Sequence, residues 1–169
     1  SQSKGSWSSI NIGYGNTCLT SATIIYGEED LSGWVEEEGI WYYYEKGVKV
    51  KNDWRKDSTG WCFLDEEGRW VLDSFVKDST NKWAYITKDG YYYETTGWVE
   101  YDGHWYYLEK GYRVENDWRK DSTGWCFLDA DGKWVLNAFV KDSTGMWAYI
   151  TPDGYYYETT GWIKYNGEW

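Results

Sequence analysis

From residue 33 onward the apolar positions of the chain form no helical stripes; short runs of aromatic and β-branched residues alternate with Gly, Asp, Asn, Ser and Thr. Runs of this kind bounded by turn residues predict β-strands, and two of them flanking Asp-Gly or Asn-Gly predict a hairpin. "YDGHW" at Tyr101 and "YNGEW" at Tyr165 have that form. "DSTG" at Asp57, Asp121 and Asp142 stands at the same place as a longer loop, with Asp and Gly in turn roles. A second turn follows each Trp-containing strand, at "EKG", "DEEG", "TKDG", "DADG" and "TPDG", and the single proline, Pro152, sits where it pre-sets φ for such a turn. Each predicted unit is therefore a hairpin plus a connector, and the fold class is all-β.

The units recur. Gly33–Thr96 and Gly97–Thr160 share 49 identities in 64 positions, and a third copy begins at Gly161. Within each copy an aromatic residue is followed by a tryptophan at Trp34/Trp41, Trp54/Trp61, Phe75/Trp83, Trp98/Trp105, Trp118/Trp125, Phe139/Trp147 and Trp162/Trp169. The first members lie 20, 21 and 23 residues apart, and then 20, 21 and 23 again, so three hairpin types, A, B and C, succeed one another. A lone hairpin of this length is marginal; stability has to come from stacking on neighbours, as in solenoids. Residues 33–169 are expected to form a repeat domain of about six full 20–23-residue repeats and a partial seventh. Residues 1–32 do not match the repeat and are expected to cap or precede it; Ser6–Tyr26 is β-prone.

Side chains alternate faces along a strand. The residue after the second Trp is Tyr in A units, Cys in B units (Cys62, Cys126) and Ala in C units (Ala84, Ala148), which marks a packed, size-restricted face. Cys62 and Cys126 are thus expected to be buried free thiols. With three hairpins per turn they would sit a full turn apart, beyond the roughly 4.4–6.8 Å Cα separation of a disulfide. The other face carries Trp, Trp and then Tyr or Phe, more ring surface than a core of this size needs. Two tryptophans of one hairpin and a ring of the next would enclose a pocket suited to a quaternary ammonium, attracted by about 0.5–2 kcal/mol per ring.

Composition narrows the function. Acidic residues outnumber basic ones 28 to 17, for a net charge of −11, so nucleic acid is excluded as a partner and a cationic one favoured. No run approaches the roughly 18 apolar residues that span a bilayer, so no membrane insertion is expected. The three cysteines lack metal-ligand spacing, and neither metal nor cofactor is expected. The sole histidine, His104, holds the hairpin position taken by Ile40 and Glu168 in the other A units, and the carboxylate clusters Glu36/Glu37/Glu38 and Glu66/Glu67 fall in turns. A solvated turn explains all of these better than catalysis does, and no enzymatic activity is expected.

"GWVEYDGHWYYLEKGYRVEN" (Gly97–Asn116) and "GWVEEEGIWYYYEKG" (Gly33–Gly47) resemble the choline-binding, or cell-wall-binding, repeats of Gram-positive surface proteins and of phage or bacterial lysins, over residues 33–169. The resemblance implies a left-handed β-solenoid of stacked β-hairpins, about three per superhelical turn, with choline or phosphocholine of cell-wall teichoic acid held between successive hairpins. Carried onto this chain, the cages would comprise Trp54, Trp61 and Tyr85; Trp118, Trp125 and Tyr149; Trp34, Trp41 and Phe63; Trp98, Trp105 and Phe127; and Phe75, Trp83 and Tyr107. The resemblance also implies a non-catalytic module at the bacterial cell wall or extracellular surface, targeting a hydrolase such as an endolysin. The family's hydrophobic residue after the late glycine is Trp70, Trp134, Tyr92 or Tyr156 in B and C units but Lys49 or Arg113 in A units. A cation there opposes a bound ammonium unless its head turns away, so the B cages are the favoured sites. The competing class is a carbohydrate-binding array like those of glucan-binding proteins and clostridial toxins, since sugars also stack on rings; a sugar site would add convergent hydrogen-bonding side chains. The bare edge left at Trp169 suggests a homodimer.

Overall fold

The computed structural model describes residues 11–14, 17–18 and 31–169, with side chains from residue 31 onward. The rest of the segment expected to act as a cap lies outside the described residues. The described residues contain no helix and fall into two compact units, Ser1–Glu94 and Thr95–Trp169. This is the all-β hairpin array that the repeats predict.

In the first unit β1 (Asn11–Tyr14) pairs antiparallel with both β2 (Thr17–Cys18) and β3 (Gly33–Glu37). The A hairpin is β3 with β4 (Ile40–Glu45), and the short β5 (Val48–Lys49) folds back on β4. The B hairpin joins β6 (Asp53–Lys56) to β7 (Trp61–Leu64), and the C hairpin joins β8 (Ser74–Lys77) to β9 (Trp83–Ile86). The second unit repeats the series: A, β10 (Gly97–Tyr101) with β11 (His104–Glu109) and β12 (Tyr112–Arg113); B, β13 (Asp117–Lys120) with β14 (Trp125–Leu128); C, β15 (Ala138–Lys141) with β16 (Trp147–Ile150). The A turns are tight because Glu38-Gly39 and Lys46-Gly47 all take positive φ, from 49° to 82°, the type I′ geometry whose twist matches the strands.

Connectors stitch the hairpins together. After the B hairpin the chain returns along β7, where the Asp65 amide donates to Arg69 O and the Val71 amide to Phe63 O, while the intervening Trp70 amide donates to Trp41 O of the A hairpin at 2.8 Å. Odd positions thus bond to the connector's own hairpin and even positions to the preceding one. The same step recurs from Tyr92 to Trp61, from Trp134 to Trp105 and from Tyr156 to Trp125. Backbone groups that an isolated hairpin would expose at its edge are consumed in stacking.

The core follows the alternation. Cys62, Leu64, Ala84, Ile86, Leu108, Cys126, Leu128 and Ile150 are fully buried. Cys62 and Cys126 are free thiols, as the size-restricted position requires. Burial and then the nearby Asp57 charge push the Cys62 thiol well above its usual range, and burial with Asp121 pushes Cys126 up to about 12. Only the thiolate is nucleophilic, so neither should react with Ellman's reagent in the native protein, while both should titrate once it is denatured. Rapid native labelling of either, located by peptide mass mapping, would contradict this packing.

Candidate functional site

Each hairpin presents an aromatic ladder. Its first aromatic meets, edge-on or tilted, the ring two residues after its second tryptophan: Trp34 with Tyr43, Trp54 with Phe63, Phe75 with Tyr85, Trp98 with Tyr107, Trp118 with Phe127 and Phe139 with Tyr149, at centroid separations of 5.0–5.3 Å. These are direct cross-strand pairs, and such ring contacts are worth about 0.5–1.5 kcal/mol each beyond their burial. Connector rings then close the ladder from the next unit: Trp70 lies 4.9 Å from Trp34, Tyr92 5.6 Å from Trp54, Trp134 4.9 Å from Trp98 and Tyr156 5.6 Å from Trp118.

Asp57 ties three successive hairpins to one carboxylate. Its Oδ1 accepts the amides of Thr59 and Gly60 within its own B turn; its Oδ2 accepts Trp34 Nε1 of the A hairpin at 3.3 Å and the Tyr91 hydroxyl of the C connector at 2.9 Å. Asp121 repeats the arrangement with Thr123, Gly124, Trp98 and Tyr155. Burial alone would raise both carboxyls, but the amides and side-chain donors outweigh it and hold them below the ordinary aspartate value. The Tyr91 phenol, desolvated and donating to Asp57, is pushed up to about 12. The "DSTG" signature read as a turn is also a tertiary anchor.

An open cavity of about 720 Å³ lies in the first unit between the second strand of the A hairpin and the C hairpin. Its lining includes the rings of Trp41, Phe63, Trp70, Phe75 and Trp83 and the polar side chains of Asn52, Asp65, Glu66, Arg69 and Lys77. Trp41 is cross-strand from Glu36, and Trp83 from Lys77.

A family model described as a cell wall binding repeat matches residues 32–46 and 96–110, the two A hairpins. These two hairpins carry the cell-wall-binding repeat, and the chain resembles modules of the choline-binding type. Over 81% of its length the module superposes on choline binding protein F from Streptococcus pneumoniae at 30% identity and TM-score 0.53, and on CbpJ from the same species at 26% and 0.54. It also aligns over 122 residues, 68% of the chain, with glucosyltransferase-I of Streptococcus downei at 29% identity. The module spans about half of each of the two solved choline-binding chains (48%) and 7% of the glucosyltransferase.

The module regroups the residues picked from sequence. Of the group Trp34, Trp41 and Phe63, Trp41 and Phe63 line the cavity, while Trp34 is buried in the ladder with its indole N–H on Asp57. Phe75 and Trp83 join the same cavity; Tyr107, grouped with them from sequence, belongs to the second unit, where its ring packs on Trp98. Tyr85 and Tyr149 pack on Phe75 and Phe139 of their own C hairpins and on the connector rings Tyr93 and Tyr157, Tyr149 also on Tyr165, while Trp54 and Trp118 take Tyr92 and Tyr156 as their next-unit ring. Rings supplied by the connector fill the place that the sequence reading gave to Tyr85 and Tyr149. Trp61, Trp105 and Trp125 leave over two-fifths of their surface in water.

The A units do not carry the obstructing cation that the sequence suggested. Lys49 turns to the opposite face, 3.6 Å over the Tyr42 ring and 2.7 Å from Glu37, and Arg113 pairs with Glu115 at 2.6 Å. The cavity accordingly opens on the A hairpin's Trp41. His104 is exposed, with Nδ1 2.9 Å from Asp102 O in the turn. What sequence reasoning missed was the lysine opposite each B and C tryptophan, although strict pairing of Lys56 with Trp61 and Lys77 with Trp83 follows from the hairpin register.

Proposed function

We propose that the module anchors a larger protein, in the manner of a cell-wall hydrolase's targeting domain, to the bacterial surface by taking choline of teichoic acid against its exposed rings. The observation that carries this reading is the cavity in which Trp41, Phe63, Phe75 and Trp83 converge, with Glu36 across the strand from Trp41. Ring faces and a nearby carboxylate attract a quaternary ammonium, whose methyl groups need no hydrogen bonds. Trp61, Trp105 and Trp125, with the rings that flank them, supply the further positions proposed for the array. A single site of this kind binds at about the millimolar level, roughly −4 kcal/mol; several sites on one polymer raise avidity about 10²–10⁴-fold. The role is binding alone, with chemistry left to the attached protein. It does not include a homodimer.

A second reading, an α-glucan or other oligosaccharide site, draws on the polar lining of Asn52, Asp65, Glu66 and Arg69 and on the match to a glucosyltransferase. Titration of tryptophan fluorescence and near-UV circular dichroism with choline, and in parallel with glucose oligomers, separates the two. Saturation by choline alone, weakened by Trp41→Ala and Trp83→Ala, is the expected outcome; saturation by the sugars alone would transfer the same rings to a carbohydrate.

A further inference from the structure

The second tryptophan of a hairpin has one of two charged partners across the strand. In the A hairpins it is a carboxylate, Glu36 opposite Trp41 and Glu100 opposite Trp105. In the B and C hairpins it is a lysine whose ammonium lies over the indole: Lys56 is 5.8 Å from the Trp61 ring centroid, Lys77 5.7 Å from Trp83, Lys120 5.8 Å from Trp125 and Lys141 5.9 Å from Trp147. The four distances agree within 0.2 Å, so the pairing is a property of the repeat.

Around the cavity the charges fall into two kinds. Arg69 is committed to Asp65 at 2.7 Å and to Glu67 at 3.0 Å. Among the described residues neither Glu66 nor Lys77 stands in an ion pair, although both line the cavity. One anion and one cation outside any ion pair, together with a group of rings, suit a ligand that carries both charges, its cation bulky and apolar and its anion compact.

We propose that Lys77, and by repetition Lys56, Lys120 and Lys141, form an anion subsite that takes the phosphate of a phosphocholine ester while the trimethylammonium group rests on the adjoining rings. This rests on the ammonium reading above and adds the second half of the ligand. The lysine can leave the indole face for the phosphate, vacating the ring that the methyl groups then contact. An ammonium is a compact, mobile point charge and needs no fixed geometry to serve a phosphate. In the second unit Ala130 stands in place of Glu66.

The test compares choline with phosphocholine on the full chain, by fluorescence titration at low and at high salt. Wild type should bind phosphocholine about three-fold or more tighter than choline at low salt, the scale of an exposed ion pair, and lose that preference at high salt. Lys77→Gln should reduce the preference, the combination with K56Q, K120Q and K141Q should abolish it, and the four Lys→Arg changes should keep it, the preference being read in each variant as the ratio of its own phosphocholine and choline affinities. These lysines are exposed, so near-UV circular dichroism should confirm intact folding. A preference that is absent in wild type, or that survives in the quadruple Gln variant, overturns the subsite and leaves choline binding intact; failure of choline itself to bind overturns the ammonium reading together with it. Sedimentation with phosphatidylcholine vesicles and with phosphocholine-substituted wall polymer identifies the source: lysine-dependent capture of the polymer supports both proposals, whereas capture of vesicles alone keeps the subsite and overturns the wall assignment.

Discussion

Gly90→Ala should be among the most destabilising single changes in the repeat. A Cβ at this position would lie 2.4 Å from Cε2 and Cζ2 of Trp70, on a residue whose φ is +85°. The left-handed backbone costs an L-residue roughly 1–2 kcal/mol, and forcing a methyl into a packed ring adds about 1–3 kcal/mol, for a total of about 2–5 kcal/mol. Trp70 cannot simply step aside: its Nε1 donates to Gly90 O at 2.9 Å, its ring packs on Trp34 and Tyr91, and its amide is the stitch to Trp41. The measurement is urea unfolding followed by tryptophan fluorescence, where a loss of this size lowers the midpoint by about 1–2.5 M at an m-value near 2 kcal/mol/M. Gly39→Ala separates the two contributions, because φ there is +82° and nothing lies within 4 Å of the added carbon; it should cost only the backbone part. Equal midpoint shifts for the two variants would show that Trp70 does not fill the space over Gly90.

The second large effect is expected at Asp57. Replacement by alanine strands the Trp34 indole N–H and the Tyr91 hydroxyl and releases two amides of the turn. A buried donor left unpaired costs about 1–3 kcal/mol; the turn amides can reach water, so about 3 kcal/mol is expected overall, with Asp121→Ala alike in the second unit. The pH dependence carries a definite sign. The folded carboxyl titrates below its unfolded value, so the unfolded state binds the proton more readily and the stabilisation is complete above the unfolded aspartate pKa of about 3.9. It is lost as pH falls from there through the folded value. Unfolding free energies of wild type and Asp57→Ala should therefore differ fully at neutral pH and converge in acid. A gap that stays constant down to the acid limit would mean that Asp57 holds the hairpins through shape and not through charge.

Hairpin positions and type, the order A, B, C, the buried Cys62 and Cys126 and the ring-rich face were legible in the sequence, because each depends on local chemistry: turn residues with positive φ, alternation along a strand, and a size limit repeated at one position. The partners of the rings were not. Whether Trp54 meets Tyr85 or Tyr92 depends on where a connector crosses the preceding hairpin, and the amide of Tyr92 on Trp61 O settles it by a bond between residues 31 apart in sequence. Lys49 shows the same limit: its position in the repeat pointed to the cage, yet Glu37 and the Tyr42 ring draw its head to the other face. Asp57 was legible as a turn residue but not as the acceptor shared by Trp34 and Tyr91, since those two donors lie 23 residues before it and 34 after it. Local rules determined which strands form; stacking, which brings distant donors and rings to one place, decided what each side chain does there.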